Sequence, residues 1–541
     1  MRKYFYKDGK LNYELIFWAG LLFVMLAQAF YFGFNYYNYL DDNNTYGVFY
    51  RRSGDIWNNI VMWYKLYTFR PVAFMLDAYF YQRFWPCMEI LLLIFILMTF
   101  ATIVLFKKTM VKSGISFGTV GIIICALTPL NLEAAYWIGA STRFVPGMFF
   151  SILSCFILVE LIDGKYRRKR LALGLYIFFN LISTGFYEQI VVFNFVFTLA
   201  VIILNYKKIN FGKKIIIAAP FLNTLLIGAY YIIFWNHGKV ASRGEMASGG
   251  LFQHFLSTFK GIANLLLPKN INMIVSGVKG FFNIEMGVFK ALFLLAAIAF
   301  ALICCLRILK LKAEDGSFLG KYALPLKLIG GIILAIAPFA PFFILKNNYM
   351  SFRAVYPSIF GIALFFDGLG EIISKNNVGK YVTAVLSGIV CIAFFMANAT
   401  EINNYRLIEA DDNIISQNFL EAFEKTGADD KTPIVVTGIK YLYTQTSRAG
   451  YENIASSDWA FLGKVNADST KFYFTNILPV PKGGIIAEER LDGAIIFGID
   501  DNMNIERLYF DEGDNTLYNE DNEVFGTLKA DGNGYRKLEA E

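Results

Sequence analysis

Histidine is nearly absent. The 541-residue chain has two, His237 and His254, so a metal centre built on histidines is excluded. Cysteine is scarce as well. Cys87, Cys125, Cys155, Cys304, Cys305 and Cys391 all lie in or beside apolar runs, and none falls after residue 398. No CxxC spacing or disulfide framework is visible. Charged residues make up only 17% of the chain. The glycine-rich loop that a nucleotide-binding βαβ unit needs is missing. There is no low-complexity tract and no clear internal repeat.

What is present is apolar. Hydrophobic residues reach 56%, with 54 Phe and 32 Tyr, and the mean hydropathy is +0.46. That composition belongs to a polytopic membrane protein. The net charge of +7 hides an asymmetry: residues 399–541 carry 13 Lys+Arg against 26 Asp+Glu, a balance of −13, which leaves +20 for residues 1–398. A basic membrane part (1–398) followed by an acidic, water-exposed part (399–541) is the expected domain organisation. The basic excess fits anionic lipid and positive-inside topology, not nucleic acid.

A bilayer-crossing helix needs about 20 apolar residues. Eleven segments qualify, near 14–34, 87–106, 114–130, 144–162, 171–187, 189–206, 215–235, 289–309, 326–345, 355–374 and 380–398. The basic N-terminus "MRKYFYKDGK" and the run after it read as a retained signal anchor. Pro338 and Pro341 each remove a backbone donor and predict a kink or re-entrant turn in the ninth segment. The loops "KKTMVK", "DGKYRRKR" and "KKINFGKK" and the segment 307–327 are basic and alternate with connections of low charge. This predicts a cytoplasmic N-terminus and an extracytoplasmic tail.

Two outer loops are long. In 35–86, Ile56, Ile60, Trp63, Tyr64 and Tyr67 share one helical face. In 236–288, after the glycine-rich "SRGEMASGG", Leu251, Phe255, Phe259 and Ile262 do the same. Both predict helices lying in the membrane interface. The tail opens with an amphipathic helix, "DNIISQNFLEAFEKTG", followed by the strand-like runs "PIVVTG", "KFYFTNI", "GAIIFGI" and "RLYF". The expected fold is mainly α, with about eleven transmembrane helices and a small α/β or α+β extracytoplasmic domain.

Charges close to a bilayer are costly and tend to be paired or functional. The predicted outer face collects Asp41, Asp42, Arg70, Asp77, Glu89, Glu133, Arg143, Glu188 and Arg353. Adjacent carboxylates at 41 and 42 repel, which suits one of them to act as a base; a solvated helix end with a "DDNN" turn would look the same. Arg70, in "YTFRPVAF", is held extended by Pro71 and can grip a phosphate with its planar fork or simply anchor at the interface. "NLEAAYWIGASTRFVPG" brings Glu133, Trp137 and Arg143 into a short connection. Glu188, in the tight turn of "STGFYEQIVVF", has no basic neighbour and calls for an arginine from another helix pair. "NNYMSFRAVYPSIF" places Tyr349, Arg353 and Tyr356 at a helix start, where an anion also gains from backbone amides.

An acidic pair just after the first span, an arginine–proline in the first loop, long outer loops and a C-terminal outer domain resemble the GT-C superfamily of membrane glycosyltransferases. The branch most similar is that of bacterial O-antigen glucosyltransferases, with "LDD" and "FRP" in the matching places. Phe69 stands where that branch often has glycine, which bears on the donor sugar. The resemblance covers the membrane part and implies a sugar donor carried on a polyprenyl phosphate, a cell-envelope glycan as acceptor, and inversion without a metal. Asp42 or Asp41 would act as the base, with Arg70, Arg143 or Arg353 meeting the leaving phosphate. Glu133, Trp137, Glu188 and Tyr349 complete the expected binding set. No cofactor is implied, and two carboxylates are too few to define a divalent-ion site. Two other readings fit the composition: a transporter or flippase of lipid-linked glycans, and a non-enzymatic membrane anchor or sensor.

Overall fold

The computed structural model describes residues 6–7, 10–11, 13–51, 57, 61, 70–234, 250–310, 319–346, 350–439, 454, 457–481, 483–530 and 534–540. The residues that carry the predicted interfacial helix (Ile56, Ile60, Trp63, Tyr64 and Tyr67), the "SRGEMASGG" loop up to residue 249, and Tyr349 lie outside them. The chain divides into two compact units. The first comprises Met1–Tyr36, Trp57–Phe80 and Cys87–Ile402; the second comprises Tyr37–Ile56, Tyr81–Pro86 and Asn403–Glu541.

The first unit is helical. Among the described residues, eight helices are long and apolar enough to cross a bilayer, by length and composition: Tyr81–Lys112, Ile138–Ile162, Glu188–Lys208, Lys213–Ile233, Val288–Lys310, Gly320–Ile344, Phe352–Ile373 and Asn377–Thr426. The other three expected segments are helices of 17, 9 and 16 residues, at Tyr13–Ala29, Thr119–Leu127 and Lys169–Thr184. Local sequence explains two of the shortenings. Thr128 turns extended before Pro129, ending the middle one, and Gly185 follows the last as its C-cap. The ninth segment is interrupted at Ala337–Phe339 by a 3₁₀ turn holding Pro338. The described part of the long loop at 236–288 forms two helices, Leu251–Asn264 and Asn270–Phe281, joined by a wide turn containing Pro268.

Polar side chains inside the helix bundle bond to one another. Asn194 accepts from Ser151 (3.0 Å) and from Asn180 (3.1 Å). Asn180 also donates to Thr198 (3.0 Å) and accepts from Asn223 (2.8 Å). Four helices are stitched by neutral groups that each find a partner, the usual way to glue helices where no hydrophobic force acts between them.

One end of this bundle is basic. Lys112 pairs with Glu160 (2.7 Å) and Asp163 (3.2 Å). Glu14 pairs with Lys107 (2.7 Å) and Arg307 (2.9 Å). Buried Lys327 meets Asp367 at 2.6 Å, and Asp367 also accepts the backbone N–H groups of Gly118 and Gly121, at the start of the Thr119–Leu127 helix. A carboxylate there gains from the exposed amides of that first turn.

The last apolar helix departs from expectation. The segment 380–398 and the amphipathic tail helix are one continuous 50-residue helix, Asn377–Thr426. Nothing between Ile389 and Thr426 is Gly or Pro, so nothing breaks it. Its apolar part belongs to the first unit and its polar part, from Asn403, to the second.

The chain also forms a small ribbon, β1 (Tyr6–Lys7) with β2 (Lys10–Leu11). The second unit is built on eight strands: β3 (Ile434–Ile439), β4 (Ile477–Pro481), β5 (Ile485–Ala487), β6 (Ile495–Ile499), β7 (Ile505–Asp511), β8 (Thr516–Tyr518), β9 (Val524–Ala530) and β10 (Tyr535–Ala540). Their order is β4-β3-β6-β7-β8-β9-β10-β5. The pairs β3–β4 and β3–β6 are parallel, and the rest is an antiparallel meander. The two edge strands, β4 and β5, are consecutive in the chain, so the sheet curls back on itself. Each strand sends one side chain to a common interior: Val435, Val480, Ile486, Ile496, Leu508, Leu517, Leu528 and Leu538. The alternate face of β3, β4 and β6 packs on Phe419, Phe423, Phe461 and Val465, from the end of the long helix and from the Asp458–Asp468 helix. "KFYFTNI" is a strand only at its last residue. Phe472 and Phe474 pack into the helix–sheet core, and the strand that follows, "ILPVP", is an edge strand able to carry its prolines.

Candidate functional site

Arg70 precedes Pro71, the first residue of the Pro71–Tyr79 helix, and takes a non-helical conformation (φ −133°, ψ 61°). The helix start then lies on the turn at Gly185. The backbone N–H groups of Val72 and Ala73 donate to the Gly185 carbonyl, at 2.9 and 3.3 Å. A Cβ on Gly185 would stand 2.3 Å from Val72 Cγ2, so only glycine permits this approach. The same turn carries Tyr187 and Glu188, the latter opening the next helix.

Arg70 is therefore delivered onto both. Its Nε and Nη2 each lie 3.3 Å from one carboxylate oxygen of Glu188. Its guanidinium lies 3.7 Å from the centre of the Tyr187 ring, and Phe144 stacks on that ring at 4.4 Å. Glu188, for which the sequence calls for an arginine partner, has one in Arg70.

Two further pairs lie around the start of the Ile138–Ile162 helix. Arg143 is within 3.8 Å of Asp77, both buried. Arg353 lies 3.8 Å from Glu133 and donates its backbone N–H to the same carboxylate at 3.2 Å. Its guanidinium rests 5.0 Å from the Trp137 ring. Tyr356, on the same 3₁₀ turn as Arg353, is 3.4 Å from the Thr99 hydroxyl and packs edge-on to Phe144. Aromatic contacts run from Arg70 through Tyr187 and Phe144 to Tyr356, on the Arg353 turn, and Arg143 directly precedes Phe144 in the chain.

Two buried guanidinium groups, Arg70 and Arg143, and the partly exposed Arg353 each have their own carboxylate, which is what makes their burial tolerable. They gather at the end of the bundle opposite the Lys112 and Lys327 pairs. Arg143 and Glu160, on one helix, are separated by about 26 Å of helix rise, close to a hydrocarbon thickness. Guanidinium forks in fixed orientation are matched to the oxygens of a phosphate.

The assembled set includes Arg70, Glu133, Trp137, Arg143, Glu188 and Arg353. Asp77, Tyr187 and Phe144 join it. The tyrosine's adjacency to Glu188 was the only sequence signal for its role.

Asp41 and Asp42 belong to the second unit. The first helix ends at Ala29, not near 34, and the chain turns at 30–34 and has no regular structure until a new helical segment, 41–51. "DDNN" is therefore not a turn but the start of that segment, where carboxylates are favoured by the helix dipole. Asp42 is fully buried and accepts the Tyr39 backbone N–H at 3.0 Å. Asn44 packs against Gly463, Gly47 against Ala467, and Arg51 donates to the Ser469 and Asp468 carbonyls. Asp41 keeps part of its surface open.

The second unit also buries carboxylates of its own. Asp412, on the polar part of the long helix, accepts the Ile454 N–H at 2.8 Å, and burial pushes its carboxyl up to about 8. Glu409, which accepts the Asn38 N–H at 2.9 Å, is likewise raised by burial. Among the described residues no group of three or more His, Cys, Asp or Glu is placed to hold a metal ion. Comparison with protein-family models, characterised proteins and solved structures finds no match.

Proposed function

We propose that the chain is a membrane glycosyltransferase of GT-C type, moving a sugar from a polyprenyl-phosphate donor to a cell-envelope glycan. The observation that supports it most is a set of three arginines, two of them buried and each paired with a carboxylate, at one end of an apolar helix bundle. Such a cluster suits an anionic headgroup that arrives from the bilayer. The proposal counts the three shorter apolar helices with the eight longer ones as spans. It places the basic end, with Lys112 and Lys327, in the cytoplasm and the arginine cluster outside. The C-terminal domain is then extracytoplasmic and the 236–288 helices lie at the outer interface.

In the chemical step, a carboxylate takes the proton of an acceptor hydroxyl. That oxygen bonds to the anomeric carbon with inversion, and the bond from carbon to phosphate oxygen breaks. The electron pair leaves on the lipid phosphate, whose growing charge the arginines stabilise. The resemblance gives the carboxylate as Asp42 or Asp41, and exposure favours Asp41.

The test is transfer from a polyprenyl-phosphate sugar, together with mass spectrometry of envelope glycans with and without the protein. Asp41→Asn should abolish transfer at normal protein levels, and Arg70→Lys should weaken donor binding by losing the fork. Full transfer by the Asp41→Asn/Asp42→Asn double variant would refute the mechanism. Translocation of a lipid-linked glycan with no new glycosidic bond would replace it with transport.

A further inference from the structure

From Gly250 to Ile284 the chain has no Asp or Glu and three lysines, Lys260, Lys269 and Lys279. All three are exposed, and none has a carboxylate partner among the described residues. The next acid is Glu285, past the end of the Asn270–Phe281 helix. The lysines at the basic end of the bundle differ: Lys112 and Lys327 each meet two carboxylates. The helices around the three unpaired lysines, Leu251–Asn264 and Asn270–Phe281, also leave large apolar side chains uncovered. Phe252 is 74% exposed and Phe282 76%.

At about 100° per residue, the side chains of each helix fall into three stripes. On the first helix Thr258 and Ile262 are buried, Phe252 and Phe259 are exposed and apolar, and Gln253 and Lys260 are exposed and polar. On the second, Gly277 and Phe281 are buried, Ile271 and Val275 are exposed and apolar, and Asn272 and Lys279 are exposed and polar. The buried stripe of the second helix is pinned to the long helix. The Thr400 hydroxyl donates to the Gly277 carbonyl at 2.6 Å, and a Cβ on Gly277 would stand 2.8 Å from that of Ala397. The apolar stripe therefore cannot turn inward. In both helices a lysine lies on the polar stripe next to it, and Lys269 sits in the turn between them.

We infer that these two helices form a docking surface for anionic phospholipid, with the apolar stripes among the acyl chains and the three lysines at the headgroup phosphates. A helix with one packed, one apolar and one polar stripe fits a place where protein, hydrocarbon and water meet. Charge then selects the lipid. A zwitterionic headgroup carries its own cation, which competes with the lysines for the phosphate, whereas an anionic leaflet supplies the counter-charge that the chain withholds between residues 250 and 284. A soluble anion would meet the lysines and leave the phenylalanines in water. The inference takes from the proposed function only that these helices lie at the membrane interface. It is independent of the transferase chemistry, because lipid contact is read without turnover.

The experiment uses the full chain in phosphatidylcholine nanodiscs holding a trace of diazirine-bearing phosphatidylglycerol or, at the same mole fraction, diazirine-bearing phosphatidylcholine. After irradiation, labelled peptides are mapped by mass spectrometry. Peptides from 252–283 should take at least about threefold more label from phosphatidylglycerol. The apolar helix stretch 222–233, with Leu225 and Ile232 exposed, is the reference and should show a ratio near one. Lys260→Gln/Lys269→Gln/Lys279→Gln should bring the 252–283 ratio toward one, and so should high salt, which screens exposed charges. Should the triple variant fail to fold, the salt series on the unchanged protein still decides. Phe252→Ser/Phe259→Ser should lower labelling by both probes. A ratio near one in the unchanged protein, or a ratio that survives both the triple variant and high salt, would overturn the selectivity. Absence of label from both probes would overturn the interface position and point to a second copy or another protein on this face. Loss of the phosphatidylglycerol label on adding a trace of polyprenyl phosphate would replace the leaflet with one specific headgroup site.

Discussion

Replacing Glu188 by Gln keeps the shape of the turn and removes one charge. Two unit charges 3.3 Å apart interact by about 5 kcal/mol at an effective dielectric near 20. Much of that repays desolvation. Arg70 keeps 9% of its side-chain surface and Glu188 24%, so the carboxylate is still partly hydrated. The net cost of Glu188→Gln should then be about 2–3 kcal/mol, below the roughly 3–5 kcal/mol of a wholly buried pair. The asymmetry is informative. Glu188→Gln strands a buried guanidinium, whereas Arg70→Met leaves a carboxylate that can turn toward water, so the first should cost more than the second. A double-variant cycle, read by unfolding in detergent, should give a coupling near 2 kcal/mol, with the double variant more stable than the sum of the two singles. If the transferase proposal holds, Arg70→Met also loses donor binding while Glu188→Gln retains it. A coupling under about 0.5 kcal/mol, or Arg70→Met costing more than Glu188→Gln, would show that the pair is not the restraint described.

Gly185→Ala puts a methyl 2.3 Å from Val72 Cγ2 and should cost about 1–3 kcal/mol; thermal melts should show partial recovery in Gly185→Ala/Val72→Ala, and a wild-type melt for the single variant would refute the close approach. Asp412, pushed up to about 8 from an ordinary value near 3.8, binds a proton in the folded chain that the unfolded chain has already released between those values. Stability should therefore fall as pH rises from about 4 to about 8. Glu409 and Asp411 on the same helix add to the effect, and Lys464 facing it opposes. Asp412→Asn, which keeps the acceptor for Ile454, should flatten this slope and raise the Tm at pH 8; an unchanged slope would assign it elsewhere.

Runs of apolar residues were readable wherever length alone decided the element. All eleven expected segments are helical in whole or part, because a long apolar run without internal breakers has few alternatives. Their ends were not readable, since Thr128–Pro129 and Gly185 act through local geometry that hydropathy does not register. The join between the last apolar helix and the tail was missed for the opposite reason. A change from apolar to polar residues looks like a boundary, but helix propensity carries straight through residues 399–411. In the second unit, strands such as β8, of three residues, are too short to show alternation. They are recognisable only through the interior that Leu517 shares with seven other strands.

Charge followed the same division. Sequence identifies which ionisable groups sit in apolar surroundings, because those are few and each is expensive. It reached the need of Glu188 for an arginine by that route. It could not choose among Arg70, Arg143 and Arg353, since the choice is made by Gly185 admitting the start of the helix that follows Arg70, at Val72 and Ala73. The adjacent aspartates show the limit most directly. As letters they are equivalent, and repulsion between them gives no reason to prefer either. Once residues 41–51 form a helical segment, neighbours about 100° apart around its axis cannot share an environment: Asp42 turns inward to the Tyr39 amide and Asp41 keeps open surface. Under the transferase proposal, a base that must meet a soluble hydroxyl and release its proton needs that surface, so the geometry that buries Asp42 makes Asp41 the residue to substitute first.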